Sequence, residues 1–254
     1  MILTNKKTLF FSFIGLIVLL TLYTMTLYGF FGPHPIGTTD TSTRPLIVPQ
    51  GFAFSIWGLI YTGLIAFPIY QLIKRKETYQ WYSLRIWYSL NVILNGLWLV
   101  FASYDWLWMT VIIILMMLTS LVKIDHQIRE MKKEKIEINY WMESFVFSVY
   151  FGWVTVATIL NVAAALKFYQ WNGWGIPELY WSLIILSVAA VIFVKLFRWY
   201  RDQAFISVGA WAFWALTLRH WGGLPILAYF SLAIMILFIL LIINQVAQPN
   251  KNAS

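Results

Sequence analysis

The sequence predicts an all-α, polytopic membrane protein, a helical bundle of about eight transmembrane helices, and three observations carry that reading. Of the 254 residues 61% are hydrophobic and only 11% are charged, whereas soluble domains are about a quarter charged. The apolar residues gather into eight runs close to the roughly 20 residues that cross about 30 Å of hydrocarbon. The basic residues fall in alternate connections between those runs, as they do in membrane proteins of fixed orientation.

The runs are 9–31, 52–73, 86–103, 107–124, 141–166, 179–197, 204–218 and 224–245. Lys6 and Lys7 precede the first, as in a secretory leader. The run exceeds the about 7–15 residues of a leader core and no A-x-A-like site follows it, so it is read as the first membrane helix. Residues 33–50 carry Pro33, Pro35, Pro45, Pro49 and Gly37 and cannot be helical throughout. They form a loop long enough to fold over the outer mouth of a bundle; His34 within it is read as solvated. The third and fourth runs share a tight connection, and the seventh is short. The charged run 123–135, with Asp125, Glu130 and Glu134 among its cations, is read as a solvated extension of the fourth helix, with lipid headgroup or partner binding as the alternative.

With the amino terminus inside, only Arg44, Lys167 and Arg219 of the 18 Lys and Arg lie outside. That asymmetry requires an even number of crossings and places both termini in the cytoplasm, in a membrane read as the cell (inner) membrane. The net charge of +8 is therefore a matter of orientation rather than of nucleic acid. Cysteine is absent, which excludes disulfides, thiolate metal sites and cysteine nucleophiles. His34, His126 and His220 are too far apart for a local metal motif. No phosphate loop, nucleophile elbow or paired intramembrane carboxylates can be found. Glu143, near the inner end of the fifth run, is read as a structural partner for loop cations. No enzyme, no catalytic residue, no metal and no required cofactor are expected.

Trp81, Trp141 and Trp199 fall at inner boundaries and Trp106, Trp108, Trp171, Trp174 and Trp221 at outer ones, where aromatic belts lie. Trp57, Trp98 and Trp153 lie inside spans and need another account. So do Asn91, Asn95, Thr158 and Asn161, because polar groups in hydrocarbon usually face the bundle interior or a cavity. Spacing puts Asn91, Asn95 and Trp98 on one face of the third helix and Phe54, Trp57 and Tyr61 on one face of the second. Thr158 and Asn161 are neighbours on the fifth. At about 1.5 Å per residue, most of these fall in the outer half. An outward-opening pocket with aromatic walls and a few amides would look like this; interhelical packing glue is the alternative.

The run Val48-Pro49-Gln50-Gly51-Phe52-Ala53-Phe54-Ser55-Ile56-Trp57-Gly58-Leu59-Ile60-Tyr61 resembles the P-P-G-W-x-F-x-x-x-W-x-x-x-Y start of the second helix in the TspO/translocator (tryptophan-rich sensory protein) family. Leu94-Asn95-Gly96-Leu97-Trp98 is similar to its L-N-x-x-W, and Trp153-Val154-Thr155-Val156-Ala157-Thr158-Ile159-Leu160-Asn161 to its W-V-x-F-A-T-x-L-N. Gln50 replaces the second Pro, Phe52 stands where Trp is usual, and the Phe54 to Trp57 interval is one residue shorter than the pattern. The resemblance covers roughly residues 9–166, the five-helix unit, and leaves the last three helices unaccounted for.

The resemblance implies a five-helix bundle whose pocket, closed by the loop after the first helix, binds hydrophobic planar ligands such as porphyrins, haem or sterols. The matching positions are Trp57, Tyr61, Asn95, Trp98, Trp153, Ala157, Thr158 and Asn161, with Phe54 beside them by spacing. The expected division is a TspO-like bundle over 1–166 and an additional three-helix segment over 167–254, packed outside the first five and leaving the pocket to them. The implied role is that of a sensor, receptor or translocator of such a ligand; a small-solute transporter or permease subunit is the alternative. The expected partners are the lipid bilayer and a hydrophobic small molecule, with a homodimer left open and no nucleic acid.

Overall fold

The computed structural model describes residues 5–32, 44–74 and 78–247. Among the described residues all regular structure is helical: α1 (Asn5–Leu27), α2 (Ile56–Lys74), α3 (Tyr79–Ser103), α4 (Leu107–Lys133), α5 (Val146–Phe168), α6 (Glu178–Tyr200), α7 (Gln203–His220) and α8 (Pro225–Ala247). A 3-10 turn (Gly51–Ser55) leads into α2, and a turn of π-helix (Tyr140–Phe145) leads into α5. Each of the eight apolar runs becomes one helix, and seven are long and apolar enough to cross a membrane. The chain is a polytopic helical membrane bundle.

The exception is α7, of 18 residues. It begins at Gln203, ends with Arg219 and His220, and buries Phe205, Ile206, Ala215 and Leu216 against its neighbours α5, α6 and α8. Protein rather than lipid supplies most of its apolar surroundings, so its sequence carries a weaker apolar signal.

Several boundaries differ from the sequence reading. The first helix ends at Leu27 rather than at 31, because Gly29 turns to φ 70° and Phe30 N donates to Met25 O at 2.9 Å, the left-handed stop that glycine favours. The same bond pattern closes α3, α4 and α5 at Asp105, Lys135 and Gln170, all at positive φ. Helix α3 begins at Tyr79 rather than 86, which moves Arg85 from a predicted loop into a fully buried position. Helix α4 runs on to Lys133, as the charged extension implied, but Asp125, Ile128 and Met131 within it are buried rather than solvated.

Small residues set the closest approaches. Helix α1 lies along α3 with Ser12 Oγ 3.4 Å from Ser89 Oγ, and a Cβ on Gly15 would meet Val92 Cγ2 at 2.8 Å. Such small-residue contacts are how helices associate where lipid removes the hydrophobic driving force. Pro68 sits inside α2, and its missing N–H leaves the carbonyl of Leu64 without a helical donor. The Tyr88 hydroxyl of α3 takes its place, donating at 2.7 Å.

Gly152 brings α5 onto α7. A Cβ there would lie 2.9 Å from both Phe205 O and Val208 Cβ. Gly152→Leu is therefore expected to cost about 1–3 kcal/mol by overpacking, read as a lower midpoint of thermal unfolding in detergent. Gly58→Ala, which meets nothing within 4 Å, should leave the midpoint unchanged or slightly raised.

Candidate functional site

The sequence-derived residues converge where α2, α3 and α5 face one another. Helix α2 follows the 3-10 turn, so Phe54, in the turn, and Trp57, in the first turn of the helix, present rings toward α5, while Tyr61, one turn on, faces α1 and α3. Phe54 meets the Trp153 ring edge-on at 5.5 Å between centroids. Trp57 lies 5.3 Å from Tyr61 and 6.0 Å from Tyr150. Tyr23 of α1 closes the group against Tyr61 at 5.3 Å.

Polar atoms join these rings across helices. The Tyr61 hydroxyl donates to Asn95 Oδ1 at 3.2 Å, and Asn95 Nδ2 donates to the Tyr150 hydroxyl at 2.7 Å. Asn95 is thus the knot between α2, α3 and α5, with both ends of its amide engaged. Trp98 Nε1 donates to Asn161 Oδ1 at 3.0 Å, and Asn161 Nδ2 donates to Ala157 O at 2.8 Å. The Thr158 hydroxyl bonds Val154 O within its own helix at 2.7 Å and joins no other helix. Trp153 is fully buried, and its Nε1 finds no acceptor among the described residues. An unpaired donor in such a place costs about 1–3 kcal/mol.

The nine residues therefore form three connected groups: Trp57, Tyr61 and Asn95; Trp98 with Asn161 and Ala157; and Phe54 with Trp153. Thr158 lies alongside. Their own rings occupy much of the space between the helices, yet Phe54 is 39% exposed and Trp57, Tyr61, Trp98, Thr158 and Asn161 are half-buried. Asn91 departs from the expected face. It turns to α4, donating to Ser120 Oγ at 2.7 Å and Met117 O at 3.1 Å. Four residues along a helix is about 40° of rotation, enough for Asn91 and Asn95 to serve different neighbours.

Tyr150 and Tyr23 escaped the sequence reading, as did the contribution of α7. Trp211 Nε1 donates to Ala53 O at 3.0 Å, the Phe52 ring packs on Trp211 and Trp214 at 5.3 and 5.2 Å, and Gln50 N donates to Ala215 O at 3.3 Å. Arg219 Nη1 donates to Pro45 O at 3.0 Å and to Val48 O, and His220 Nε2 lies 2.8 Å from Leu46 O. The segment before α2 is thus held on α7. His34 lies outside the described residues.

Toward the opposite end, α2, α3 and the π-turn share a second polar knot. Arg85 Nε donates to Gln71 Oε1 at 3.1 Å, Gln71 Nε2 donates to Glu143 Oε1, and Glu143 Oε2 accepts from Asn139 N at 2.7 Å. All three side chains are fully buried. Glu143 thus shares one buried network with the Arg85 guanidinium, Gln71 bonding to both. Among the described residues no three His, Asp or Glu side chains gather as metal ligands.

A family model described as TSPO-like protein matches residues 9–244, running through the last three helices, which the three motifs do not reach. No curated protein and no solved structure matches the chain.

Replacing Asn95 by Leu keeps the volume near Tyr61 and Tyr150 but leaves the hydroxyl of Tyr150 without its amide donor and that of Tyr61 without an acceptor. The expected loss is about 1–3 kcal/mol per stranded group. Thermal unfolding of Asn95→Leu in the Tyr150→Phe background should recover part of it.

Proposed function

The chain belongs to the TSPO-like family, and on that premise we propose that it is a membrane receptor for a flat hydrophobic ligand of porphyrin, haem or sterol type. The ligand is taken between α2, α3 and α5, against Phe54, Trp57, Tyr61, Trp98, Trp153 and Asn161. The observation that carries this reading is the pairing of a half-exposed aromatic surface with a buried indole donor. Packed proteins rarely leave a buried N–H unpaired, and the ring that carries the Trp153 Nε1 packs edge-on against the partly exposed Phe54 ring. A ligand that displaces Phe54 gains ring contacts on both sides and offers an acceptor to Trp153. Tyr61, Asn95 and Tyr150 hold the helices in register while this occurs. The ligand is a cargo or signal rather than a resident cofactor, and no catalytic step is assigned.

The proposed orientation has eight crossings with both termini in the cytoplasm of the cell membrane. Its support is the placement of Arg44, Lys167 and Arg219 against the remaining basic residues. The packing of α7 beside α8 and α5 also favours it, because a two-residue link between Tyr200 and Gln203 reverses the chain.

Two measurements test these statements. Titration of the purified chain in detergent with protoporphyrin, haem or cholesterol, followed by tryptophan fluorescence, should show saturable binding of at least one class. Trp153→Phe, which keeps a ring but removes the donor, and Trp57→Leu should each weaken it roughly two- to twelvefold, the equivalent of about 0.5–1.5 kcal/mol. Flux of a small solute in sealed vesicles with no saturable binding of any flat ligand would replace the receptor with a permease. Separately, a reporter active only in the cytoplasm, fused after the last residue, should be active; an inactive but expressed fusion means an odd number of crossings.

A further inference from the structure

A polar cavity of about 190 Å³ lies at the charged end of α4, away from the aromatic cluster, bounded by α4, the π-turn, the start of α5 and the joint between α6 and α7. Its lining residues include Asp125, Arg129, Lys132, Ser148, Arg201 and Asp202, three cations against two carboxylates. The internal bonds account for both carboxylates. Asp125 receives the Arg129 guanidinium in a fork at 2.7 and 2.8 Å. Asp202 accepts from Phe205 N at 3.1 Å, capping α7, and from Ser148 Oγ at 2.6 Å, with Arg129 Nη2 at 3.6 Å. Arg129 is equally committed, donating to Tyr200 O at 3.0 Å and lying 4.0 Å from the Tyr200 ring centroid.

What remains is Lys132 and Arg201. The Lys132 ammonium meets a neutral acceptor, Ser144 Oγ, at 2.9 Å. The Arg201 backbone is bonded on both sides, to Phe197 O and Gln245 Nε2. Among the described residues no carboxylate forms an ion pair with either cation. Nearby, Trp141 and Trp199 are 63% and 79% exposed, the placement that aromatic residues take at the headgroup level of a bilayer. A cavity at that depth, with one cation in excess of its carboxylates, two cations outside any close ion pair, and hydroxyl groups, suits a tetrahedral anion with several acceptor oxygens. We propose that it is a phosphate-binding site, whose position at the membrane interface points to the headgroup of an anionic phospholipid.

The test uses the full-length chain, delipidated in neutral detergent, with phosphatidylglycerol, phosphatidylcholine and inorganic phosphate as probes. Phosphatidylglycerol should raise the unfolding midpoint more than an equal mole fraction of phosphatidylcholine, and native mass spectrometry should show it retained preferentially. Lys132→Gln and Arg201→Gln should each weaken its binding roughly fivefold, the scale expected for one basic residue at an anionic surface. Lys133→Gln, whose ammonium is paired with Glu130 at 2.7 Å outside the cavity, should not. If inorganic phosphate stabilises the chain beyond matched chloride and displaces the lipid, the site takes a soluble phosphate; if it does neither, the headgroup is the ligand. The proposal is overturned if the two lipids bind alike while phosphate is inert, or if both Gln variants bind phosphatidylglycerol and phosphate as the wild type does. Should either variant fail to fold, the competition on the wild-type chain decides by itself.

Discussion

Inside a bilayer no water is at hand to solvate a guanidinium, a carboxylate or an amide, so each must find its partner within the protein. The first five helices are arranged around that constraint. Arg85, Gln71 and Glu143 are fully buried, and they are tolerable only because α2, α3 and the π-turn before α5 meet at one point. The widened turn at Tyr140–Phe145 lets Asn139 N and Gln71 Nε2 reach the two oxygens of the same carboxylate. Further along the same three helices, Asn95 repeats the arrangement with neutral groups. Two polar knots at different depths fix both the rotation and the axial position of α2 against α3 and α5. Apolar packing alone fixes these poorly in lipid, where helix surfaces and acyl tails are equally greasy.

The helices were legible because the bilayer imposes one length and one polarity on every span. Their ends were less so. Leu27 ends α1 because of a glycine two residues on, a local signal that apolarity overrides, and α4 outlasts its apolar run because a charged extension still has helical bonds to make. Arg85 looked like a loop cation because counting charges along a chain does not reveal partners: Gln71 is 14 residues away and Glu143 a further 72 from Gln71. The residues of the aromatic cluster were recognisable from spacing and motif, yet the neighbour each one serves was not. Asn91 and Asn95 differ by one helical turn and turn to different helices. Tyr150 stands three residues before Trp153 and seven before Ala157, on the face those residues mark, but the motif begins only at Trp153; Trp211 reaches Ala53 across 158 residues of sequence.

The last three helices are more closely joined to the first five than an appended segment would be. Helix α7 carries little lipid-facing surface and makes its most specific contacts with the segment 45–53, the stretch that leads into the aromatic cluster. The two tryptophans of α7 form a seat for Phe52, a position where the motif resemblance would have placed an indole. An aromatic ring supplied from α7 in this way gives that segment a contact that five helices alone would lack.

Helix α7 is also a strut about 27 Å long, taking 18 residues at about 1.5 Å each, and it is pinned at both ends. At one end Arg219 and His220 grip the carbonyls of residues 45–48; at the other Asp202 is fastened to Ser148 and Arg129 beside the polar cavity. A stiff element held this way cannot tilt at one end without moving the other. Any occupant that lifts segment 45–48 while its bonds to α7 hold must therefore disturb the Asp202 end. By thermodynamic reciprocity, anything that tightens the Asp202 end must alter the work of lifting that segment by the same amount.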